Sequence, residues 1–356
     1  MKKIRVAILA LFSAVLLSAC SSYSISDYLP FDDNLLLTYE VEADFSMTWQ
    51  IFNAHSSDSR LQRRMMVQTG QIIAEVLEVR DNQIIAVNVV EPFIQHANII
   101  GRTPEQHLVM LSEPIEQGHS WIQNPFDPDE DAIIMEITGV DISVVTPAGA
   151  FETIEITTTQ PLVEPYIVAP HIREYFAPGI GSVKQISFMG ISTEMPGWDD
   201  PNFEEESITV RLIDIDRSAS ITDPAHIFYI TDNDVPQVQI TYTTNNDLAA
   251  LYTEVLQQLF YIAHGDINTD LAINYAVVNF DTSLLNLDLS AAFLTEMSRA
   301  VDYEREQHLL NVVAATFGFL YAAEDVRITV DGNVYSGTFI TMGHNESIRT
   351  GQGIWN

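Results

Sequence analysis

From Leu35 to Asp214 the chain is written in short apolar and β-branched runs cut by turn chemistry, and helical periodicity is nearly absent. That pattern constrains the fold more than any single motif. Leu35 to Glu42 suits a pleated surface. Gln71 to Val79 and Gln83 to Val90 flank the polar turn Arg80-Asp81-Asn82 and predict a hairpin. Further strands are predicted at Ile133 to Thr138, Asp141 to Val145, Ala150 to Thr158, Gly181 to Phe188 and Ser207 to Ile215. Gly139 separates the first pair, and Pro147-Ala148-Gly149 turns the second. Many short strands with one apolar face predict a mostly antiparallel sheet curved around that face.

Residues 216–235 have linker composition, although Ile227 to Ile230 can pack as a short strand. Beyond them the texture changes. Val238, Ile240 and Tyr242 alternate with polar residues, as a half-buried strand should. Leu248, Leu251, Tyr252, Val255, Leu256 and Leu259 then repeat at helical spacing, with Gly265 just past the predicted end. Strands at Ile273 to Asp281 and Leu285 to Leu289 precede a second helix over Tyr303 to Tyr321. Glu304 and Glu306 stand near the positive end of its dipole. Asp325 to Asp331 alternates again and turns at Gly332. The fold class expected is α+β in two domains: a curved β-sheet over 35–215, then a small β-α-β-β-α-β-β layer over 236–341, with 342–356 as a tail.

The first twenty residues suggest where the chain works. Lys2, Lys3 and Arg5 precede an apolar run from Val6 to Leu17, which is too short for a mature membrane-spanning helix. The run ends in Leu17-Ser18-Ala19-Cys20, which resembles the lipobox of bacterial lipoproteins. The resemblance implies a signal peptide over 1–19 and a covalent diacylglycerol on the Cys20 sulfur, often joined by an N-acyl chain. Such a chain faces away from the cytoplasm, anchored to a membrane through lipid, with 20–34 as a tether. Cys20 is the one cysteine, so no disulfide forms within the chain. Two or three acyl chains hold a protein durably where one does not.

Charge removes one class of partner. The sequence has 16 basic and 49 acidic residues, a net charge of −33. Without Lys2, Lys3 and Arg5 the balance is 13 against 49, a net of −36, and Lys184 is the lysine that remains. Such a surface repels nucleic acid and anionic headgroups.

The C-terminal pattern also resembles a known family. A strand and helix, then Leu285-Asn-Leu-Asp-Leu-Ser290, Ala291 to Glu296, a helix entered from Ser298 through Glu304 and Glu306, and the closing Val326-Arg-Ile-Thr-Val-Asp-Gly332 are similar to the GerMN domain of sporulation and germination lipoproteins. The likeness covers residues 236 to 341. Between Gly265 and Asp270 the chain departs from it, lacking the proline common in that turn. The resemblance implies a non-catalytic envelope module with a protein or cell-wall partner. In the first half, Asp141 to Phe151 and Glu174 to Lys184 resemble segments of uncharacterised β-rich lipoproteins, with Tyr175 and Phe176 as expected core aromatics.

Catalytic chemistry finds little support in the sequence. There is no Gly-x-Ser-x-Gly and no His pair with zinc-ligand spacing, and His119 and His344 read as ordinary surface or hydrogen-bonded histidines. Asp127, Asp129 and Asp131 alternate after Pro125 and could hold Ca²⁺ weakly, but the glycine and twelfth-position glutamate of a dedicated loop are missing. Asp232-Asn233-Asp234 is a lesser candidate. No cofactor and no enzymatic activity are expected. The leading expectation is an envelope interaction or scaffold lipoprotein in sporulation, germination or wall assembly. A carrier or chaperone that cradles a hydrophobic ligand on the curved sheet is the alternative. A peptidoglycan hydrolase is a third reading, for which the abundance of acids prevents any pair from being chosen.

Overall fold

The structure is a computed structural model that describes residues 23–42, 47–67, 70–93, 98–125, 132–162, 164, 166–192, 207–220, 223–230, 236–243, 248–266 and 268–351. Its strands are β1 Leu36–Glu42, β2 Met47–Ser56, β3 Arg60–Val67, β4 Ile72–Arg80, β5 Gln83–Val90, β6 Leu108–Ser112, β7 Ser120–Ile122, β8 Ile134–Thr146, β9 Gly149–Thr159, β10 Tyr166–Val168, β11 His171–Ala177, β12 Gly181–Phe188, β13 Ile191–Ser192 and β14 Ser207–Asp216. Twelve of them form one antiparallel sheet in the order β6-β5-β4-β3-β2-β1-β14-β12-β11-β9-β8-β7. β10 and β13 pair separately.

This sheet curls until its two end strands nearly meet. The Val109 N–H donates to the Gln123 carbonyl at 2.7 Å, and Trp121 Nε1 donates to the Val109 carbonyl at 3.1 Å. One apolar interior therefore serves both halves of the sheet. Leu61, Leu77, Ile84 and Leu111 from β3 to β6 pack in the same cluster as Ile137, Ile154, Ile156 and Phe176 from β8, β9 and β11. Closure of this kind removes most of the exposed strand edge that an open sheet would carry.

Local chemistry explains several of these strands. Asp81 and Asn82 both take positive φ, 52° and 61°, so Arg80 pairs with Gln83 across a tight turn whose twist suits a hairpin. The two strands expected on either side of Gly139 are one long strand. Its register with β9 shifts on both sides of Gly139, and Asp141 has φ 55°. A bulge bends β8 there without ending it, and a Cβ on Gly139 would lie 2.4 Å from Ile142 Cδ1.

The stretch expected to be a tether is folded from Tyr23 onward. Helix α1, Ile25–Tyr28, starts where the Ser24 N–H donates to Asp27 Oδ2 at 2.7 Å. Ile25, Tyr28 and Leu29 are buried in the sheet interior, because their apolar area has nowhere better to go than the end of the curled sheet. The lipobox residues Leu17, Ser18, Ala19 and Cys20 lie outside the described residues.

After residue 220 the elements are β15 Asp223–Ile230, β16 Pro236–Thr243, α2 Leu248–His264, β17 Ile273–Asn279, β18 Leu284–Leu289, α3 Ala292–Met297, α4 Tyr303–Tyr321, β19 Asp325–Val330, β20 Asn333–Val334 and β21 Ile348–Arg349. β15 and β16 pair as a hairpin, and β17, β18, β19 and β20 form a sheet in that order, with β21 also on β19. Helices α2 and α4 pack through Val255, Leu256, Leu259, Leu310, Val313 and Phe317 into a core that includes Leu285, Leu287, Val326 and Ile328.

Two boundary expectations change here. Residues 223–230 share linker composition but form β15, with Ala225 and Ile227 fully buried in this second core. Residues 342–351, expected as tail, are docked. Met342 and Ile348 are buried, and Thr350 Oγ1 donates to the Ala323 carbonyl at 2.7 Å. A Cβ on Gly318 would come 2.1 Å from that Thr350 oxygen, so α4 can approach only as glycine.

Candidate functional site

The curled sheet encloses a cavity of about 190 Å³. Its walls follow from strand alternation, since every second residue of an inward face meets the same space. Leu35, Leu37, Ile51 and Met65 supply apolar wall, and Leu29 and Pro30 border it after α1. Tyr39 and Trp49, cross-strand partners, meet edge-to-face with ring centroids 5.5 Å apart.

Charged residues line this apolar space. Arg63 on β3 faces Glu75 on β4, and Arg63 Nε donates to Glu75 Oε2 at 2.5 Å. Burial works against the guanidinium charge, but the Glu75 carboxylate more than offsets that and raises the Arg63 pKa. Glu174 on β11 also lines the cavity. Its carboxyl is pushed above the ordinary carboxylate range, first by loss of solvent and also by the Glu75 charge. The Ser182 hydroxyl and Arg63 pull the other way. Glu174 is deep in the protein yet keeps partial accessibility, because the void touches its side chain.

The remaining polar atoms are unequally served. Tyr39 Oη donates to the Ser182 carbonyl at 2.8 Å, and burial raises its pKa. Trp49 Nε1 is buried and, among the described residues, finds no acceptor. An indole N–H buried without a partner costs desolvation free energy.

The expected metal loop, Asp127, Asp129 and Asp131, lies outside the described residues, as does Asp232 to Asp234. Among the described residues no three His, Cys, Asp or Glu side chains converge as metal ligands. His119 stacks loosely near Trp121, at 5.7 Å between rings, and His344 is exposed. Tyr175 and Phe176 are core aromatics as expected. No helix among the described residues is long and apolar enough to cross a membrane.

No family model matches this chain, and no curated protein does. Several solved structures do. A protein described as exported, with a YmcC-like fold, from Bacteroides fragilis NCTC 9343 is 12% identical over 52% of this chain and 96% of that one, with a TM-score of 0.30. A protein described as a lipoprotein from Parabacteroides distasonis ATCC 8503 is 11% identical over 53% and 98%, with a TM-score of 0.29. The MucA/MucB complex of Pseudomonas aeruginosa matches at 11% identity over 62% and 76%, with a TM-score of 0.24. These scores are too low to identify a shared fold, so the argument for the site stands on the chain's own geometry.

The sequence pointed to a curved apolar face but not to the polar group inside it. Arg63, Glu75 and Glu174 come from strands β3, β4 and β11, more than a hundred residues apart at the extremes. The available signal was a charge at an inward strand position. Glu75 stands between Ile73 and Leu77, and Arg63 between Leu61 and Met65.

A second feature lies in the C-terminal part. β17 ends its sheet, with one backbone edge unpaired among the described residues, and Tyr275 and Val277 on it are 47% and 58% exposed. Beside it runs an open groove of about 440 Å³, bordered by Ile100, Gly101, Tyr252, Phe280 and Tyr321.

Proposed function

We propose that this chain is an exported lipoprotein, anchored by lipid on Cys20, that binds a small amphiphilic molecule inside its curled sheet and catalyses no reaction. The observation that carries the binding reading is the cavity in which apolar walls surround Glu174 and Arg63. Binding sites are built that way, with a few placed polar groups in apolar surroundings. This cavity, at about 190 Å³, is too small to hold the glycan strand on which a wall hydrolase acts. Four residues separate Cys20 from Ile25, a reach of at most roughly 17 Å. The anchor would therefore hold the end of the sheet bordered by Leu29 close to the lipid surface.

The test uses the mature chain carrying Cys20→Ala, purified without detergent. Native mass spectrometry under gentle desolvation should show a co-purifying or readily added small amphiphile. A chain that stays empty with every amphiphile offered rules out the carrier reading. Labelling with a fatty-acid analogue tests the anchor separately, since label should appear in the wild type and vanish in Cys20→Ala.

A scaffold role is the second reading, favoured by the unpaired β17 edge with its exposed Tyr275 and Val277. A partner strand could add there. In this reading residues 223–351 form a separate α+β module of GerMN type serving envelope assembly in a spore-forming bacterium. Val277→Lys would abolish crosslinking to an envelope partner while leaving the cavity untouched. Unchanged crosslinking would remove this reading.

A further inference from the structure

Resting on the ligand-binding reading, we propose that the cavity selects a compact organic cation, an ammonium group on a short apolar body, with Glu174 as its counter-charge. The cavity's charged lining consists of one carboxylate, Glu174, and one guanidinium, Arg63, and behind the wall Arg63 pairs with a second carboxylate, Glu75, on the neighbouring strand. Arg63 is committed to Glu75 at 2.5 Å. Among the described residues, Glu174 has no ion pair of its own. The Ser182 hydroxyl and the more distant Arg63 favour its charged form only in part, and its pKa stays raised. With every group ionised the buried set carries one uncompensated negative charge, and a buried charge is tolerated only when paired or neutralised.

A ligand can supply that pairing. A monocation would neutralise the set, whereas a carboxylate ligand would add a third anion in the same low-dielectric space. The Tyr39 and Trp49 side chains line the cavity, and ammonium ions are attracted to aromatic faces. The size is also limiting. A dry cavity of about 150 Å³ already takes benzene, so about 190 Å³ suits one ring or a short alkyl chain rather than a whole lipid. The net charge of −33 on the chain adds long-range attraction for cations.

The experiment is isothermal titration of the detergent-free Cys20→Ala mature chain with three chain-matched probes: n-hexylammonium, n-hexanol and n-hexanoate. The expected order is hexylammonium tighter than hexanol by about tenfold or more, with hexanoate undetectable. Glu174→Gln should bring hexylammonium down to the level of hexanol while hexanol itself is unchanged, which also shows that the variant is folded. The wild-type comparison needs no variant. Equal binding of hexylammonium and hexanol, or tighter binding of hexanoate, overturns the cation assignment and leaves ligand binding standing. A Glu174→Gln chain that keeps the full preference for hexylammonium overturns it as well. No binding of any probe overturns both this assignment and the carrier reading beneath it.

Discussion

Arg63 and Glu75 face each other across β3 and β4 with 2.5 Å between Nε and Oε2, inside a sheet whose neighbouring inward residues are Leu61, Met65 and Leu77. Taking one partner away leaves a buried carboxylate uncompensated, and Glu174 also loses the guanidinium that moderates its charge. Arg63→Ala should therefore cost about 3–5 kcal/mol of unfolding free energy. Arg63→Met combined with Glu75→Leu should recover most of the loss, since an apolar pair of similar volume needs no counter-charge. Urea denaturation of the three chains measures this. A single variant within about 1 kcal/mol of wild type would mean that water reaches the pair freely.

Glu174 gives the protein a pH dependence of definite sign. Its carboxyl sits above its ordinary value of about 4.5 in the folded state, chiefly through burial. The folded chain therefore holds that proton more tightly than the unfolded chain does. The resulting stabilisation is fully present below pH 4.5 and is lost as pH rises through the raised folded value. Glu174→Gln removes this term. Relative to wild type, the variant should gain stability as pH rises from about 4.5 through the raised folded value and show no further change above it. A stability difference that stays flat across that range would show that the carboxyl titrates normally.

Much of this architecture was legible in the sequence, and the misses share a cause. The 71–90 hairpin was readable because Asp81-Asn82 accepts positive φ, and the helices at 248–264 and 303–321 because their apolar spacing is helical. Gly139 was misread as a strand boundary because a bulge and a turn use the same residue type, and only the pairing with β9 tells them apart. Residues 342–351 are polar enough to pass for a tail, and residues 223–230, with a short strand readable at Ile227 to Ile230, sit within a stretch of linker composition. Ala225, Ile227, Met342 and Ile348 are buried by distant helices that no local window contains. The Arg63, Glu75 and Glu174 cluster was hidden for a related reason. Alternation shows that a residue faces inward, but not which residue from another strand it will meet.

Glu306 illustrates the same limit and carries its own prediction. Its place in the first turn of α4 puts it near the positive end of the helix dipole but says nothing of its burial, which is complete. Its carboxylate accepts from Tyr335 Oη at 2.7 Å, the Phe339 N–H at 2.8 Å and the Ile340 N–H at 3.2 Å. It thereby pins the 335–340 loop onto the helix, and a Cβ on Gly337 would lie 2.1 Å from Glu306 Oε1. Glu306→Ala strands three donors at once and should cost about 3 kcal/mol or more. The damage should be local first. Limited proteolysis ought to cut between 335 and 345 in the variant while the 36–216 sheet stays intact. Cleavage beginning in that sheet would contradict the assignment of Glu306 as the anchor of this loop.

The amino-terminal boundary separates a tether from a structural plug most sharply. If residues 20–34 served only as a spacer, a chain beginning at Asn34 would be as stable as one beginning at Tyr23. Ile25, Tyr28 and Leu29 instead retain 3%, 5% and 6% of their accessible surface, packed against the inside of the curled sheet. Asn53 Nδ2 donates to the Pro30 and Asp32 carbonyls, and the Gly179 N–H donates to the Asp27 carbonyl at 2.6 Å, so the backbone is tied down as well. Burial of the three large side chains contributes about 1.5–3 kcal/mol each, and the hydrogen bonds from Asn53 and Gly179 add to that. The shorter chain should therefore unfold at lower urea and expose the cavity, seen as increased binding of an apolar dye. Tyr28→Ala with Leu29→Ala in the longer chain should reproduce most of that loss. Equal stability of the two chains would return the segment to the role of a spacer and leave the cavity without its Leu29 wall.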